Sequence, residues 1–228
     1  MNINGIKLLT HDVEAMTDFY GRLFGLPITS KGEAEVTIQA GSSALTFIAG
    51  NDDERPYYHF AFNISEHKID SAIRWLEDRE LTINLINGQK QYYSSSWDSD
   101  SIYFYDPAGN VVEFIAHHRL KSDSGGEFDL TDILCVSEIG LGVTSVQATS
   151  EALCEQFGLQ VYRNSNEVFI PVGDAHGLII LSGLNRDWLG SDKKVEVFPL
   201  EVTIEAPREA AKTFRQGSYT IHTAKGDL

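Results

Sequence analysis

The sequence contains little cysteine and no long apolar run. Its 228 residues include two cysteines, Cys135 and Cys154, each beside apolar neighbours. This pattern is typical of a reducing compartment and argues against a fold held together by disulfides. No uninterrupted apolar stretch approaches the roughly 18 residues that a membrane-spanning helix needs. Residues 1–9 lack a basic segment followed by an apolar one, so we expect no signal peptide and a cytoplasmic location.

Basic residues are also scarce. The chain has 18 Lys and Arg against 33 Asp and Glu, which gives a net charge of -15 at pH 7. An acidic surface repels phosphate backbones and anionic lipid, so nucleic acid and membranes are poor candidate partners. Phosphate-loop, dinucleotide-binding, nucleophile-elbow and zinc-finger motifs are absent as well. The remaining composition, with 42% hydrophobic residues, is that of an ordinary globular protein.

The chain contains an internal repeat. When the sequence is shifted so that Gly5 meets Glu138, Ile6 and Leu8 meet isoleucine and leucine again, and two Phe-Gly-Leu segments align. Apolar and glycine positions continue to match over about 45 residues, a correspondence that chance would not produce. The two halves of the chain are therefore predicted to be copies of one structural pattern.

The first copy is predicted to form one strand, one helix and three further strands. Residues 3–10 are predicted as a strand, and apolar residues then recur at three- and four-residue steps from Val13 to Phe24. Asp12 is placed to cap this helix and Gly25 to end it. Three strands separated by glycine and serine turns are predicted at 27–30, 35–39 and 44–48.

The same order of elements predicts four units, two in each half. The units are predicted at 1–50 and 55–118 in the first half, and at 134–183 and 194–228 in the second half, with a linker at 119–133. The fourth unit is predicted to contain a strand at 195–204, a helix at 207–215 and one strand at 218–222, so we expect its last two strands to be missing. The predicted fold class is α+β, with repeated βαβββ modules that form open, cupped mixed sheets with helices on the outside.

One carboxylate lies among apolar residues on a predicted sheet face. The strand predicted over 110–117 places Glu113 on the same face as Val111 and Ile115. A buried carboxylate must be paired, hydrogen-bonded, metal-bound or protonated, because desolvating it alone is too costly. Glu113 is therefore expected either to pair with a Lys or Tyr of a neighbouring strand or to bind a metal ion.

Three segments carry a resemblance to a known family. They are the stretch from Asp12 to Leu26, the strand Tyr58-His-Phe-Ala-Phe62, and the segment Asp106-Pro-Ala-Gly-Asn-Val-Val-Glu-Phe114. With the four units, they resemble the vicinal oxygen chelate superfamily, which includes glyoxalase I, bleomycin-resistance proteins and extradiol dioxygenases. The resemblance covers nearly the whole chain. Activity within this superfamily ranges from lyase to oxygenase to drug binder, so membership alone assigns no reaction.

The resemblance also indicates where metal ligands would lie, on the first and last strands of paired units. The corresponding positions, taken unit by unit, are Gly5 and Thr46, His59 and Glu113, Glu138 and Ile179, and Pro199. An extradiol dioxygenase would need ligands at Gly5, His59 and Glu113, and Gly5 breaks that set. Pairing of the second unit with the third, as in fused glyoxalases, instead brings together His59, Glu113 and Glu138. Gly140 shares a strand face with Glu138 and should leave room for a ligand.

The resemblance then implies a metal-dependent enzyme of glyoxalase type. One imidazole and two carboxylates suit Mn, Ni, Co, Mg or Zn, and the expected reaction is lyase or isomerase chemistry on a small oxygenated metabolite, as in lactoylglutathione lyase. Glu113 is the candidate catalytic base, and Tyr57, Trp97 and Tyr103 are candidate substrate contacts. The alternatives are metal-free small-molecule binding of the bleomycin-resistance type, and a relative of ring-cleavage dioxygenases that has lost its iron triad. The sheet edge left by a truncated fourth unit also favours a homodimer.

Overall fold

In the computed structural model, which describes residues 1–51, 54–122, 125–207 and 212–224, the chain forms two mixed β-sheets. The strands of the first unit are β1 (Asn2–Thr10), β2 (Ile28–Lys31), β3 (Glu35–Ala40) and β4 (Ser43–Ala49). Its helix begins as α1 (Val13–Met16) and continues as a π-helix over Thr17–Leu23. The Asp12 carboxylate accepts a hydrogen bond from the Ala15 backbone N–H at 2.8 Å, so the predicted helix cap is confirmed.

The other three units follow in chain order. The second unit comprises β5 (His59–Ile64), α2 (Ile69–Glu77), β6 (Ile83–Asn84), β7 (Tyr92–Ser94), β8 (Ser99–Tyr105) and β9 (Val111–His117). A short 3-10 helix at Leu130–Asp132 leads into the third unit, which comprises β10 (Ile133–Val143), α3 (Val146–Phe157), β11 (Phe169–Asp174) and β12 (Gly177–Gly183). The described strands of the fourth unit are β13 (Leu200–Glu205), β14 (Thr213–Gln216) and β15 (Tyr219–Thr223). Among the described residues, no helix is long and apolar enough to cross a membrane.

Each sheet combines one unit from the first half of the chain with one from the second half. The seven-stranded sheet has the order β14-β15-β13-β1-β4-β3-β2 and joins the fourth unit to the first. The eight-stranded sheet has the order β11-β12-β10-β5-β9-β8-β6, with β7 beside β8, and joins the third unit to the second. In both sheets the first strands of the two units are antiparallel neighbours, as β1 with β13 and β5 with β10. The predicted pairing of the second unit with the third is confirmed.

The main hydrophobic core lies between the two sheets. The Tyr20 ring contacts Phe47 of β4 at a centroid distance of 5.3 Å and Phe62 of β5 at 6.3 Å, so the first helix touches both sheets. Phe24 packs on Trp75 of α2 at 4.9 Å. The helices thus cover one face of the eight-stranded sheet, and its opposite face is available for a site. The predicted α+β fold of repeated modules with open sheets is confirmed.

The fourth unit differs from the prediction. Residues 213–215, predicted as the end of a helix, lie in β14, and residues 208–211 of that helix fall outside the described residues. The predicted loss of the last strand is wrong as well. β15 lies parallel to β13, in the position that the last strand of every other unit takes beside its first. Tyr219 and Ile221 are buried and anchor β15 to the core. The connection from β13 to β15 comprises residues 206–218 and includes β14. The homodimer stays a prediction.

Candidate metal centre

Three neighbouring strands of the eight-stranded sheet bring three potential metal ligands to one face. Ala61 of β5 is in register with Glu113 of β9 on one side and with Glu138 of β10 on the other. His59 lies two residues before Ala61, so strand alternation places its side chain on the same face as the two carboxylates. The three residues predicted as ligands are therefore adjacent in the fold.

The three side chains are close together and shielded from solvent. His59 Nε2 lies 3.6 Å from Glu113 Oε2 and 3.8 Å from Glu138 Oε2, and the three side chains are only 4–8% exposed. One potential ligand atom from each residue lies within 4.8 Å of the other two. In the part of the chain that the structure describes, no other group of three His, Cys, Asp or Glu side chains converges in this way.

The imidazole of His59 is oriented by the backbone. Its Nδ1 lies 3.1 Å from the carbonyl oxygen of Val111, which can only accept a hydrogen bond. Nδ1 therefore carries the proton, and Nε2, which faces Glu113 and Glu138, is left with a free lone pair. Burial lowers the pKa of His59 and so favours this neutral form. A neutral imidazole whose outer nitrogen is hydrogen-bonded is the usual form of a histidine ligand.

Among the described residues, no Lys or Arg forms an ion pair with either of the two carboxylates. Burial, reinforced by the Glu138 charge, raises the pKa of Glu113 to about 8, and burial raises that of Glu138 to about 8. The side chains of Ser101 and Tyr103 partly offset the rise in the pKa of Glu113, and Tyr103 is in register with Glu113 on the neighbouring strand. Glu138 differs, because its Oε1 is buried without any partner among the described residues. A divalent cation would offset both charges and satisfy that oxygen, and one nitrogen with two carboxylate oxygens fits Mn, Ni, Co, Mg or Zn.

A cavity of about 300 Å³ opens from the three residues. Trp97 and Tyr103, two of the predicted substrate contacts, line it. The third, Tyr57, does not, and its hydroxyl instead donates a hydrogen bond to the Lys194 carbonyl at 3.0 Å. Tyr57 precedes β5, where the side chain packs on Phe198 at a ring distance of 5.2 Å rather than following the strand face. The placement of Tyr57 in the cavity is therefore corrected.

Trp188 forms one wall of this cavity and was not predicted from the sequence. Its ring lies 5.1 Å from the His59 ring, centroid to centroid. A Cβ at Gly140 would lie 2.5 Å from Trp188 Cη2, so the glycine is what allows the indole to lie flat against β10. The room predicted beside Glu138 is thus filled by Trp188 rather than left for a ligand. Two hydrogen bonds hold the segment after Trp188, from Asn84 Nδ2 to the Gly190 carbonyl and from the Tyr105 hydroxyl to Asp192.

Comparison with known proteins agrees with this arrangement. The sequence pattern of the Glyoxalase/Bleomycin resistance protein/Dioxygenase superfamily matches residues 2–114. The metallothiol transferase FosB of Lysinibacillus sphaericus (strain C3-41) is 30% identical over 118 residues, which cover 50% of this chain and 80% of that protein. The chain belongs to this superfamily. The resemblance seen in the sequence is confirmed.

Solved structures share the fold of this superfamily member over nearly its whole length. A provisionally named dioxygenase from Bacillus subtilis subsp. subtilis strain 168 superposes with a TM-score of 0.65 and 13% identity, covering 98% of this chain and 85% of the other. The V278E mutant of glyoxalase I from Zea mays superposes with a TM-score of 0.60 and 12% identity, covering 97% of this chain and 91% of the other. At such low identity these likenesses concern the fold alone.

The ligand positions of the superfamily can now be placed in the structure. In the second unit, Glu113 is in register with Ala61, which follows the ligand His59 by two residues. In the third unit, Ile180 of β12 is in register with Gly140, which follows the ligand Glu138 by two residues. The fourth position is therefore Ile180, which lines the cavity, and not Ile179, which is buried in the main core. A slip of one residue moves a side chain to the other face of a strand.

The remaining positions lie away from the site. Gly5 and Thr46 belong to β1 and β4 of the other sheet, so a dioxygenase triad of Gly5, His59 and Glu113 would not share one face. Pro199 precedes β13 in that same sheet. The cluster on the eight-stranded sheet is thus built from the second and third units only.

Proposed function

We propose that this protein is a divalent-metal-dependent enzyme that acts on a small oxygenated substrate. The observation that carries the proposal is the convergence of His59, Glu113 and Glu138 at the base of a cavity, with Glu138 Oε1 left without a partner among the described residues. The name of the relative from Lysinibacillus sphaericus, a metallothiol transferase, also describes a protein that depends on metal. A cavity of about 300 Å³ suits a small molecule.

His59, Glu113 and Glu138 would hold the ion, and the rest of the cavity would hold the substrate. A bound divalent ion acts as a Lewis acid that polarises a carbonyl or hydroxyl oxygen and makes the neighbouring C–H or O–H more acidic. Trp188 covers the His59 ring and limits access of water to this end of the cavity. Trp97 and Tyr103 would contact the substrate from the cavity walls.

Glu113 is the residue that we propose as the proton carrier. Tyr103 is in register with Glu113 on the neighbouring strand, and Ser101 lies two residues farther along the same face. In a lyase or isomerase reaction, Glu113 takes a proton from the carbon beside a carbonyl group and returns it to a neighbouring atom. The proton and the bonding electrons stay within substrate and enzyme, so the reaction consumes no oxidant or reductant.

The 30% sequence identity with FosB of Lysinibacillus sphaericus over 118 residues supports a second candidate reaction, thiol transfer. In this reaction a sulfur–carbon bond forms, the bond from that carbon to its leaving group breaks, and the leaving group takes up the thiol proton. Both candidates use the same three residues and differ in whether a thiol is consumed. The metal-free binding protein considered from the sequence would use the cavity alone.

Deuterium exchange separates these possibilities. The Mn²⁺-loaded protein is incubated in D₂O with a panel of small 2-oxo and 2-hydroxy carbonyl compounds, and of epoxides whose ring oxygen can act as the leaving group, with and without a thiol. The products are followed by NMR. Lyase or isomerase chemistry predicts deuterium at the carbon beside the carbonyl group, lost in Glu113→Gln and retained in the exposed control Glu151→Gln. Thiol transfer predicts a thioether without deuterium incorporation. Ligand binding that survives EDTA, with neither product, would contradict the proposed enzyme and support the binding protein.

A further inference from the structure

The cavity continues past the three potential ligands along β8 and β9. Ser99, Ser101 and Tyr103 alternate on the face of β8 that lines the cavity, and Tyr103 is in register with Glu113. Side chains on one face of a strand are about 6.6 Å apart, so Ser99 lies roughly 13 Å along the strand from Tyr103. The cavity therefore has a metal end at Glu113 and a far end at Ser99.

Arg186 is the one Lys or Arg among the described residues that line this cavity. Its Nη1 donates hydrogen bonds to Ser182 Oγ at 3.1 Å and to the Val168 carbonyl at 3.2 Å. Its guanidinium also lies over the Phe169 ring, 5.4 Å from the centroid. These contacts use a single nitrogen and fix the side chain. The other N–H groups have no acceptor, and the guanidinium has no carboxylate partner, within the described ranges.

The contacts of Arg186 place it beyond the metal end. Ser182 follows Ile180 by two residues on β12, and Ile180 lies at the fourth ligand position of the superfamily. The anchor of Arg186 is therefore about 6.6 Å along the strand from that position. Asp187, the neighbouring carboxylate in the cavity lining, is paired with Lys194 at 2.6 Å and does not neutralise Arg186.

A second polar group at the far end also lacks a partner. Ser99 is fully buried and lines the cavity, and its Oγ forms no hydrogen bond with any described residue. Phe169 contacts both Trp97, at a ring distance of 6.5 Å, and the Arg186 guanidinium, and so connects the turn before β8 with Arg186. A buried hydroxyl without a partner costs free energy that a bound ligand would recover.

We propose that the far end is a second subsite, which binds a terminal carboxylate of the substrate, with Arg186 as the specificity-determining residue. The inference rests on the proposed function for the other end of the same molecule. The substrate is then an elongated acid with two neighbouring oxygens at the metal end and a carboxylate about 6.6 Å farther along, the distance by which the anchor of Arg186 is displaced from Ile180. A fixed guanidinium with free N–H groups matches a carboxylate in geometry and in charge.

Two six-carbon acids test the subsite. 2-Oxohexanoate and 2-oxoadipate offer the same two neighbouring oxygens, and only 2-oxoadipate carries a terminal carboxylate. Calorimetry with the Mn²⁺-loaded protein should show at least about tenfold tighter binding of 2-oxoadipate, the scale of one charge-assisted hydrogen bond. Arg186→Met should abolish the difference and leave 2-oxohexanoate binding unchanged, whereas the control Arg163→Met, which removes a cation outside the cavity lining, should keep it. Equal affinities in the unaltered protein would overturn the subsite.

A second experiment without metal tests the subsite separately from the proposed function. Hexanoate carries the tail group without the neighbouring oxygens, and its binding in EDTA is followed by tryptophan fluorescence. Binding that Arg186→Met abolishes supports the subsite even where Mn²⁺ uptake fails. Hexanoate binding that is equal in Arg186→Met and in the unaltered protein would overturn it, as would the absence of hexanoate binding.

Discussion

Glu113 and Glu138 lie on opposite sides of β5, each in register with Ala61. One carboxylate comes from the second unit and the other from the third, so neither unit builds the site alone. Their ion-pair contact among the described residues is His59, a group whose pKa is lowered by burial. Charge balance in this part of the cavity therefore has to come from protons on the carboxylates or from a bound cation.

The metal-free protein should lose stability as the pH rises from about 5 to about 8. Burial raises the pKa of Glu113 and Glu138 to about 8, so each carboxylate resists ionisation in the folded protein more than in the unfolded chain. Stability from the protonated forms is fully present below about pH 4.5 and is lost as the pH rises to about 8, by at most about 1.4 kcal/mol per pH unit for each group. The lowered pKa of His59 opposes this loss below about pH 6.5, where the imidazole of the unfolded chain is protonated.

Thermal unfolding in EDTA across this pH range measures the effect. Glu138→Gln should give a flatter profile, because one of the two ionising groups is gone. The exposed substitution Glu151→Gln should leave the profile unchanged. A Glu138→Gln profile as steep as that of the unaltered protein would show that the carboxylates are not the titrating groups.

Gly140→Ala should displace Trp188. The new Cβ would lie 2.5 Å from Trp188 Cη2, closer than packed carbon atoms approach. We expect a loss of about 1–3 kcal/mol in the free energy of unfolding and a red shift of tryptophan emission as the indole moves towards water. Gly32→Ala is the matched control, since the nearest atom to its Cβ is 3.8 Å away. Unchanged emission in Gly140→Ala would contradict the packing of Trp188 on β10.

The sequence predicted the position of the site better than its walls. The resemblance to the superfamily, which implies the ligand positions and the pairing of the second unit with the third, was sufficient to predict that His59, Glu113 and Glu138 come together. The assignment failed at Ile179, because Ile179 and Ile180 are chemically identical and an error of one residue in register moves a side chain to the other face of the strand. Register within a sheet, which the sequence leaves open at such a place, decides which isoleucine faces the cavity.

Trp188 and Arg186 could not have been predicted in the same way. They lie in the segment between β12 and β13, which has no strand or helix periodicity. Its path depends on distant contacts, such as the hydrogen bond of 2.8 Å from Asn84 Nδ2 to the Gly190 carbonyl. The one signal in the sequence was Gly140, a glycine on the ligand face of a strand, which indicates close approach of another group.

Lys68→Met should destabilise the connection between the second and third units. Lys68 Nζ lies 3.5 Å from Asp132 Oδ2, with the two side chains only 3% and 1% exposed, and it donates a hydrogen bond to the Gly126 carbonyl at 3.0 Å. Removing the cation leaves a buried carboxylate without it, which costs about 3–5 kcal/mol. Urea unfolding measures the loss.

The exposed pair of Arg74 and Glu127 provides the comparison. These side chains are 57% and 79% exposed, so Arg74→Met should cost less than about 1 kcal/mol. Equal losses in Lys68→Met and Arg74→Met would argue that the Lys68 pair contributes no more than a surface ion pair.

Titration with Mn²⁺, followed by the electron paramagnetic resonance signal of the free ion, tests the metal centre most directly. We expect one Mn²⁺ per chain in the unaltered protein and in His118→Ala, which removes an imidazole outside the cluster. His59→Ala, Glu113→Gln and Glu138→Gln should each weaken binding by at least about tenfold, since the first removes a ligand nitrogen and the other two replace a charged carboxylate with a neutral amide. Stoichiometric binding that none of these three substitutions weakens, or no binding by the unaltered protein, would contradict the account.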